Sequence, residues 1–197
     1  MIKAVLCTKL GGPEDLEIKE IQAPEMKPGH VRVRVRAAGV NFADTLIIQG
    51  KYQVRPELPF SPGIELAGEV MEVAADVTHL KPGQRVMGMA QSGAYTQEVV
   101  LPAAAVVPIP DMMDFASAAA FPVAYGTSHV ALDHRAHLKA GEKLLVLGAA
   151  GGVGLTAVEI GAAMGAEVVA VASSPEKLEV ARAHGATHLI DYSKDDL

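Results

Sequence analysis

The sequence predicts two domains of different class, a β-rich domain followed by an α/β domain built on a parallel sheet. In the first half of the chain, short strand-like runs are separated by turn residues. From about Asp114 onward, helical periodicity alternates with apolar strands in a βαβαβ pattern. This change of pattern places the boundary near residue 120 and gives predicted domains 1–120 and 121–197.

The first domain is expected to contain six strands, of which the clearest alternates valine with arginine over 30–36. This alternation predicts one buried valine face and one solvated arginine face. Cys7 is the only cysteine of the chain, lies in a strand-like run and is interpreted as a core residue. The proline-rich, uncharged segment 102–110 is predicted to be a hinge or crossover. The predicted strands are 3–7, 16–21, 31–37, 65–73, 85–87 and 96–101.

The second domain is predicted from a glycine turn that follows an apolar strand at 144–147, a run expected to be buried on both faces. Three features let a chain bind a dinucleotide pyrophosphate at a helix N-terminus: a tight turn, a backbone without side chains that a phosphate can approach, and close packing of the helix on the strand. They would be supplied in turn by Gly148, Gly151 and Gly154. A plain turn between strand and helix is the alternative. Further strands are expected at 167–171 and 187–190. The predicted binding residues of the turn are Gly148, Ala150, Gly151, Gly152, Val153 and Gly154.

The residues after the second predicted strand favour NADPH as the cofactor. NAD-binding folds usually carry an acidic residue there, which hydrogen-bonds the ribose 2′-hydroxyl. This chain instead has Ser173, Ser174 and Lys177, so that a 2′-phosphate would not be repelled and Ser173 with Lys177 could hold it. Ser174 precedes Pro175 and fits a helix N-cap, whereas Lys177 is almost equally well explained as a solvent-exposed lysine.

Composition excludes several classes of partner. The net charge of −6 without a basic block argues against nucleic acid, and no segment has the length of a membrane span. The absence of a signal-like N-terminus predicts a cytoplasmic protein. His129, His134 and His137 fall in a helical segment, where we identified no cysteine or acid at ligand spacing, so no metal is predicted.

Four motifs together with the glycine turn make the chain similar to the medium-chain dehydrogenase/reductase superfamily, in its zinc-free NADPH:quinone oxidoreductase branch, which includes the zeta-crystallin-like proteins. The motifs are KLGGPED at 9–15, AAGVNFAD at 37–44, PGIELAG at 62–68 and PVAYGT at 122–127. The resemblance implies a GroES-like catalytic domain followed by a Rossmann domain, with hydride passing from NADPH to a quinone or an α,β-unsaturated carbonyl. Zinc-dependent relatives place Cys and His where this chain has Asn41 and Ile64, so the resemblance implies chemistry without zinc.

The resemblance also implies roles for single residues, and each has a structural alternative. Asn41 and Thr127 match residues beside the nicotinamide, but Asn41 could be a helix N-cap and Thr127 a small helix-packing residue. Tyr52 matches an aromatic near the substrate pocket, or is a partly buried loop tyrosine. Tyr192 matches a tyrosine that lines the adenosine phosphate, or is a surface residue after a strand. The resemblance assigns catalysis to Asn41, Tyr52 and Thr127.

Two acids in the matching segments, Asp44 and Glu65, are expected to make structural hydrogen bonds, because reducing a quinone needs no base.

A full dinucleotide domain has six parallel strands, whereas this chain supplies the first three. The resemblance therefore implies an incomplete Rossmann domain in which the first strand has an open edge. It also implies a fragment of a longer reductase whose activity requires the missing C-terminal part and whose homodimer pairs through an absent strand. Two alternatives stay open: a 2-enoyl-thioester reductase, and a non-catalytic nucleotide-binding or structural protein.

Overall fold

The computed structural model describes residues 1–194, and the chain divides into two compact units. The first unit is Met1–Pro122, and the second begins at Val123. Each unit has its own hydrophobic core, so each is described by itself.

The first unit is an antiparallel β structure with two short helices. Strands β1 and β2 form a two-stranded sheet, and the other five form a sheet in the order β6-β3-β4-β5-β7. The helices are α1 (Phe42–Ile48) and α2 (Phe115–Ala119), and 3-10 turns lie at Pro13–Asp15 and Ala103–Ala105. The strands are β1 (Ile2–Leu6), β2 (Glu17–Ile21), β3 (His30–Ala38), β4 (Glu65–Val73), β5 (Arg85–Met89), β6 (Glu98–Pro102) and β7 (Val106–Pro108).

The alternation in β3 produces a buried valine face, as predicted. Val31 and Val33 are fully buried in the main core of this unit. On the opposite face Arg34 and Arg36 are exposed, but the side chain of Arg32 is only 15% exposed. The solvated-face prediction is therefore wrong for Arg32. Glutamates on the strands to either side explain the difference, because Arg32 lies 3.4 Å from Glu72 and 3.5 Å from Glu98.

The segment 102–110 is not the predicted hinge. It contains the second 3-10 turn and strand β7, which pairs antiparallel with β5. Proline is tolerated there because β7 is an edge strand of the described sheet, so the missing N–H of Pro108 leaves no ladder bond unmade. Proline content alone therefore gave the wrong prediction.

The second unit is a parallel βαβαβ structure with strand order β10-β9-β8. All three strands lie within one residue of the predicted bounds at each end. Helix α3 (Phe121–His129) begins just before the unit boundary and continues as a π-helical segment, Val130–Arg135. The remaining elements are β8 (Lys143–Leu147), α4 (Gly152–Ala163), β9 (Glu167–Ala172), α5 (Pro175–Ala183) and β10 (His188–Asp191).

Strand β8 is an edge strand of the described sheet, with one covered face and one open face. Val146 is buried in the core that includes Val158 of α4. Leu145 and Leu147 point the other way and are 54% and 67% exposed. The expectation that this apolar run is buried on both faces is therefore wrong within the described residues. The open edge expected for the first strand of an incomplete sheet is present.

Among residues 1–194, no helix combines the length and the apolar character that crossing a bilayer requires.

Candidate functional site

The glycine turn after β8 requires glycine at two positions for different reasons. Gly148 has a φ of +65°, a conformation that side chains disfavour. Gly154 has an ordinary φ, but a Cβ there would lie 2.2 Å from the carbonyl oxygen of Gly148. Gly151 donates a 2.9 Å backbone hydrogen bond to that same oxygen, which closes the turn. Helix α4 therefore starts in close contact with the end of the strand.

The N-terminus of α4 has no side-chain cap, because its N-cap residue is Gly151. The first amides of a helix lack partners within the helix, and the helix dipole places partial positive charge at this end. A bound phosphate can accept hydrogen bonds from these amides. The turn thus combines an uncapped helix start with a backbone that leaves room for an anion.

A cavity of about 270 Å³, which we call the turn pocket, lies beside this glycine turn. It gathers six of the predicted cofactor-binding residues and adds Ala172, which the sequence reasoning missed. Ala172 ends β9, so its place after an apolar strand was the available signal. The lining residues are Gly148, Ala150, Gly151, Ala172, Ser173, Lys177 and Tyr192.

The other predicted residues of this region form its supports. Gly152, Val153 and Gly154 make the first turn of α4. Ser174 is the N-cap of α5, and its hydroxyl accepts a long, 3.5 Å hydrogen bond from the amide of Lys177. The N-cap interpretation of Ser174 is therefore confirmed.

The charged group of the turn pocket is the ammonium of Lys177, which donates a 2.9 Å hydrogen bond to the hydroxyl of Ser173. None of the described residues that line the pocket is acidic. Both groups are side chains that bind phosphate oxygens well. The pocket has room for a phosphorylated ribose, and its donors fit one.

Tyr192 forms part of the wall of the turn pocket and is 52% exposed. Its amide donates to the carbonyl of Ala172, which fixes the chain as it leaves β10. The buried carboxylate of Asp191 accepts a 2.6 Å hydrogen bond from the hydroxyl of Ser193, and this bond lowers the pKa of Asp191. The wall is thus held by the turn that follows the strand.

Asn41 lies in the first unit, at the N-cap of α1, as the structural alternative predicted. The side-chain nitrogen of Asn41, Nδ2, donates a 2.8 Å hydrogen bond to Glu65 Oε1. The backbone N–H of Asn41 donates to Asp44 Oδ2. The Tyr95 hydroxyl lies 3.0 Å from that same oxygen of Asp44. Burial raises the pKa of Tyr95, and the charge of Asp44 adds to the effect. The structural hydrogen bonding expected of Asp44 and Glu65 is therefore confirmed.

Tyr52 is half-buried against an apolar cluster of the first unit that contains Cys7, Ile47 and Phe60. This is the arrangement that the structural alternative described. Cys7 is 1% exposed, which confirms it as a core residue. Ile64, at the position of a histidine in zinc-dependent relatives, is a half-buried member of the same surroundings.

Thr127 is exposed on α3, so it is not the packing residue that the alternative suggested. Its neighbour Ser128, which the sequence reasoning missed, is 1% exposed and donates a 2.8 Å hydrogen bond to the carbonyl of Val153. The Ser128 hydroxyl also lies 2.8 Å from that of Thr156 on α4. Ser128 therefore fixes α3 to the helix that starts at the glycine turn.

The statement that no acid lies at ligand spacing from the helical histidines is wrong. Asp133 lies beside His129 and His134, and one ligand atom from each of the three lies within 4.8 Å of the others. His129 and Asp133 are four residues apart, a spacing that places two side chains on one face of a regular α-helix, so the sequence did carry this signal. The π-helical segment explains only why His134 joins them. His137 is outside the group.

Comparison with known proteins places these two units in known families. Residues 27–111 match the family described as alcohol dehydrogenase GroES-like domain, and residues 152–197 match the family described as zinc-binding dehydrogenase. The first match falls in the antiparallel unit and the second in the parallel one. The architecture is thus a GroES-like domain followed by an incomplete Rossmann domain with three described parallel strands.

Individual relatives match nearly the whole chain. A quinone oxidoreductase-like protein 2 homolog from Nematostella vectensis is 44% identical over 99% of this chain and 53% of its own length. A quinone oxidoreductase from Pseudomonas aeruginosa is 42% identical over all of this chain and 61% of its own length. The chain therefore spans little more than half the length of these relatives.

A solved structure from Thermus thermophilus is described as a quinone oxidoreductase and its complex with NADPH. It aligns with a TM-score of 0.86 and 40% identity, over 98% of this chain and 60% of that one. Over nearly its whole length the chain is thus similar to proteins described as quinone oxidoreductases.

Proposed function

This chain belongs to the quinone oxidoreductase-like group of the medium-chain dehydrogenase/reductase superfamily, and on that premise we propose that it serves NADPH-dependent reduction of a quinone or an α,β-unsaturated carbonyl without zinc. The observation that carries the cofactor part is the turn pocket, where Lys177 and Ser173 stand in place of an acidic residue. A carboxylate there would repel a 2′-phosphate, whereas an ammonium and a hydroxyl attract it.

We assign the pyrophosphate and the 2′-phosphate of the cofactor to different parts of the second unit. The glycine turn and the uncapped start of α4 would hold the pyrophosphate, and Ser173 with Lys177 would hold the 2′-phosphate. Tyr192 would cover the adenosine side. When bound, NADPH supplies the hydride, and the chain's contribution is binding and orientation.

The first unit supports the zinc-free part of the proposal. The amide of Asn41 is held by Glu65, and Ile64 offers no ligand atom. Without a Lewis acid in this position, an acceptor must already be electrophilic, as quinones and enones are. Asn41, Tyr52 and Thr127 as catalytic residues stay predictions, as do a cytoplasmic location and a homodimer of the whole protein. We propose small molecules, not nucleic acid, as partners, because the net charge is −6.

The first experiment tests the cofactor part on the 197-residue chain. Thermal unfolding is followed during titration with 2′,5′-ADP, which carries the 2′-phosphate, and with 5′-AMP, which lacks it. We expect 2′,5′-ADP to raise the melting temperature at concentrations where 5′-AMP does not, because ligands that bind only the native state stabilise it. Equal responses to the two nucleotides, or no response to either, would contradict the proposal.

The second experiment tests the acceptor. NADPH oxidation is measured with 9,10-phenanthrenequinone and with crotonyl-CoA, in the presence and absence of a chelator. The proposal predicts faster turnover of the quinone, unchanged by chelation. Turnover of the thioester alone would instead favour a 2-enoyl-thioester reductase. Turnover of neither acceptor by a protein that binds 2′,5′-ADP and spans the full length of the relatives would favour a nucleotide-binding protein without catalysis.

A further inference from the structure

Three exposed side chains on one side of the helix before β8 form a group that we call the histidine cluster: His129, Asp133 and His134. The two imidazole rings have centroids 5.8 Å apart and meet edge to face at 72°. His134 Nε2 lies 3.9 Å from Asp133 Oδ2. One ligand atom from each side chain lies within 4.8 Å of the others, so the three converge on one volume of solvent.

The π-helical segment creates this convergence. In a regular α-helix, residues five apart differ in direction by about 140°, so a histidine pair at that spacing diverges. Here the amide of Ala136 donates to the carbonyl of Ala131, five residues back, which widens the turn. His129 and Asp133 are four residues apart and share one face already in a regular α-helix, and the wider turn brings His134 to that face. Isolated π-turns within α-helices occur frequently at functional sites.

We propose that the histidine cluster binds a divalent transition-metal ion of the zinc class. Two imidazole nitrogens and one carboxylate oxygen are a donor set that zinc accepts, with bonds of about 2.0–2.2 Å. All three side chains are exposed, so no packed core restricts the side-chain rotations that would bring their ligand atoms onto one ion. Water completes the coordination. This site lies on different residues from Asn41 and Ile64, where zinc-dependent relatives carry ligands.

Metal binding at this position stabilises the second unit. The ion links His129, the last residue of α3, to the π-helical segment that follows it. The residue before His129 is Ser128, whose hydroxyl bonds to α4. An ion that restrains the π-turn therefore also restrains the helix contact next to the glycine turn.

The test uses the 197-residue chain, freed of metal with a chelator and titrated with Zn²⁺ by calorimetry. We expect saturable binding of one ion. His129→Ala, His134→Ala and Asp133→Asn should each weaken it by roughly tenfold or more, because each removes one ligand. The matched control is His137→Asn, which removes a neighbouring imidazole outside the cluster. Asparagine tolerates the positive φ of 53° found there.

A second measurement reports on coordination itself. Co²⁺ in place of Zn²⁺ should give d–d absorption bands in the wild-type chain and in His137→Asn, but not in the three cluster variants. Circular dichroism checks that each variant is folded, as expected for exposed positions. The proposal is overturned by the absence of saturable Zn²⁺ binding, by binding that the cluster variants leave unchanged, or by an equal loss in His137→Asn.

Discussion

Asn41 and Glu65 form a hydrogen-bonded pair in which Nδ2 of the amide donates to Oε1 of a carboxylate that is only 2% exposed, at 2.8 Å. The pair joins the start of α1 to the start of β4. Its geometry depends on Gly39, because a Cβ at that position would lie 2.1 Å from Glu65 Oε1. Glu65 thereby fixes the orientation of the Asn41 side chain.

Glu65→Ala should lower the free energy of unfolding by about 2–4 kcal/mol, because it leaves a cavity and an unpaired amide donor. Glu65→Gln keeps an acceptor in place and should cost less than about 1.5 kcal/mol. Urea denaturation measures both values. Glu72→Ala, at an exposed position of the same strand, is the control and should cost no more than about 1 kcal/mol. A glutamine variant as unstable as the alanine variant would show that the charge of Glu65, not its acceptor oxygen, is what the fold needs.

Gly154→Ala should lower stability by about 1–3 kcal/mol or more, since the new methyl group would lie 2.2 Å from the Gly148 carbonyl oxygen. Gly152→Ala is the matched control two residues earlier in the same helix, where a Cβ meets nothing within 4 Å. It should leave stability unchanged or raise it by up to about 1 kcal/mol, because alanine favours the helix. Thermal and urea unfolding compare the two, and equal effects would contradict the close contact between α4 and the turn.

Stability should decline as the pH rises above about 10, and Tyr95 should be one cause. Burial raises the pKa of Tyr95 in the folded protein, so above that pH the unfolded chain releases a phenol proton that the folded chain retains. The contribution is fully present below pH 10 and is lost as the pH rises further. Tyr95→Phe should therefore flatten the alkaline decline measured by urea unfolding at several pH values.

Tyr192→Phe, the same substitution at an exposed tyrosine, controls for the loss of a phenol hydroxyl as such. Part of the decline should persist in Tyr95→Phe, because a hydrogen bond to Glu159 also raises the pKa of Tyr125. A slope in Tyr95→Phe identical to that of the wild type would show that Tyr95 does not contribute.

Lys177→Ala should weaken NADPH binding by about tenfold while leaving NADH binding unchanged, because in the proposed arrangement the ammonium would contact only the 2′-phosphate. Fluorescence titration of each nucleotide measures the two dissociation constants. Lys139→Ala removes an exposed lysine of the same unit that does not line the turn pocket, and it should change neither constant. If the binding of both nucleotides were weakened equally, Lys177 would instead contact the pyrophosphate or have a purely structural role.

The second unit was the more predictable half from sequence, for a physical reason. A parallel strand, a glycine turn and a helix are consecutive in the chain, so local pattern determines their arrangement. Six residues predicted to bind a cofactor therefore do share one pocket. The pocket residue that was missed, Ala172, has no chemistry of its own and acts through its place at the end of a strand.

The sequence-based predictions were wrong where the local structure depends on residues distant in sequence or on an unusual backbone conformation. Arg32 follows the alternation of its strand, but its burial depends on glutamates contributed by two other strands. The segment 102–110 is a strand because β5 offers it a partner. His134 joins His129 only because the helix widens by one residue, which no pattern of 3.6 residues could reveal, whereas Asp133 lies four residues after His129 and was overlooked.

The hydroxyl contact between Ser128 and Thr156 differs in kind from the apolar contacts around it. Apolar packing tolerates small rotations of a helix about its own axis, whereas a hydrogen bond depends on direction. Because Ser128 donates to the carbonyl of Val153 and Thr156 donates to the carbonyl of Ala124, the two hydroxyls together restrict rotation of α4 about its axis. The direction in which the first amides of that helix point is consequently set from its flank, by two small polar side chains that do not line the turn pocket.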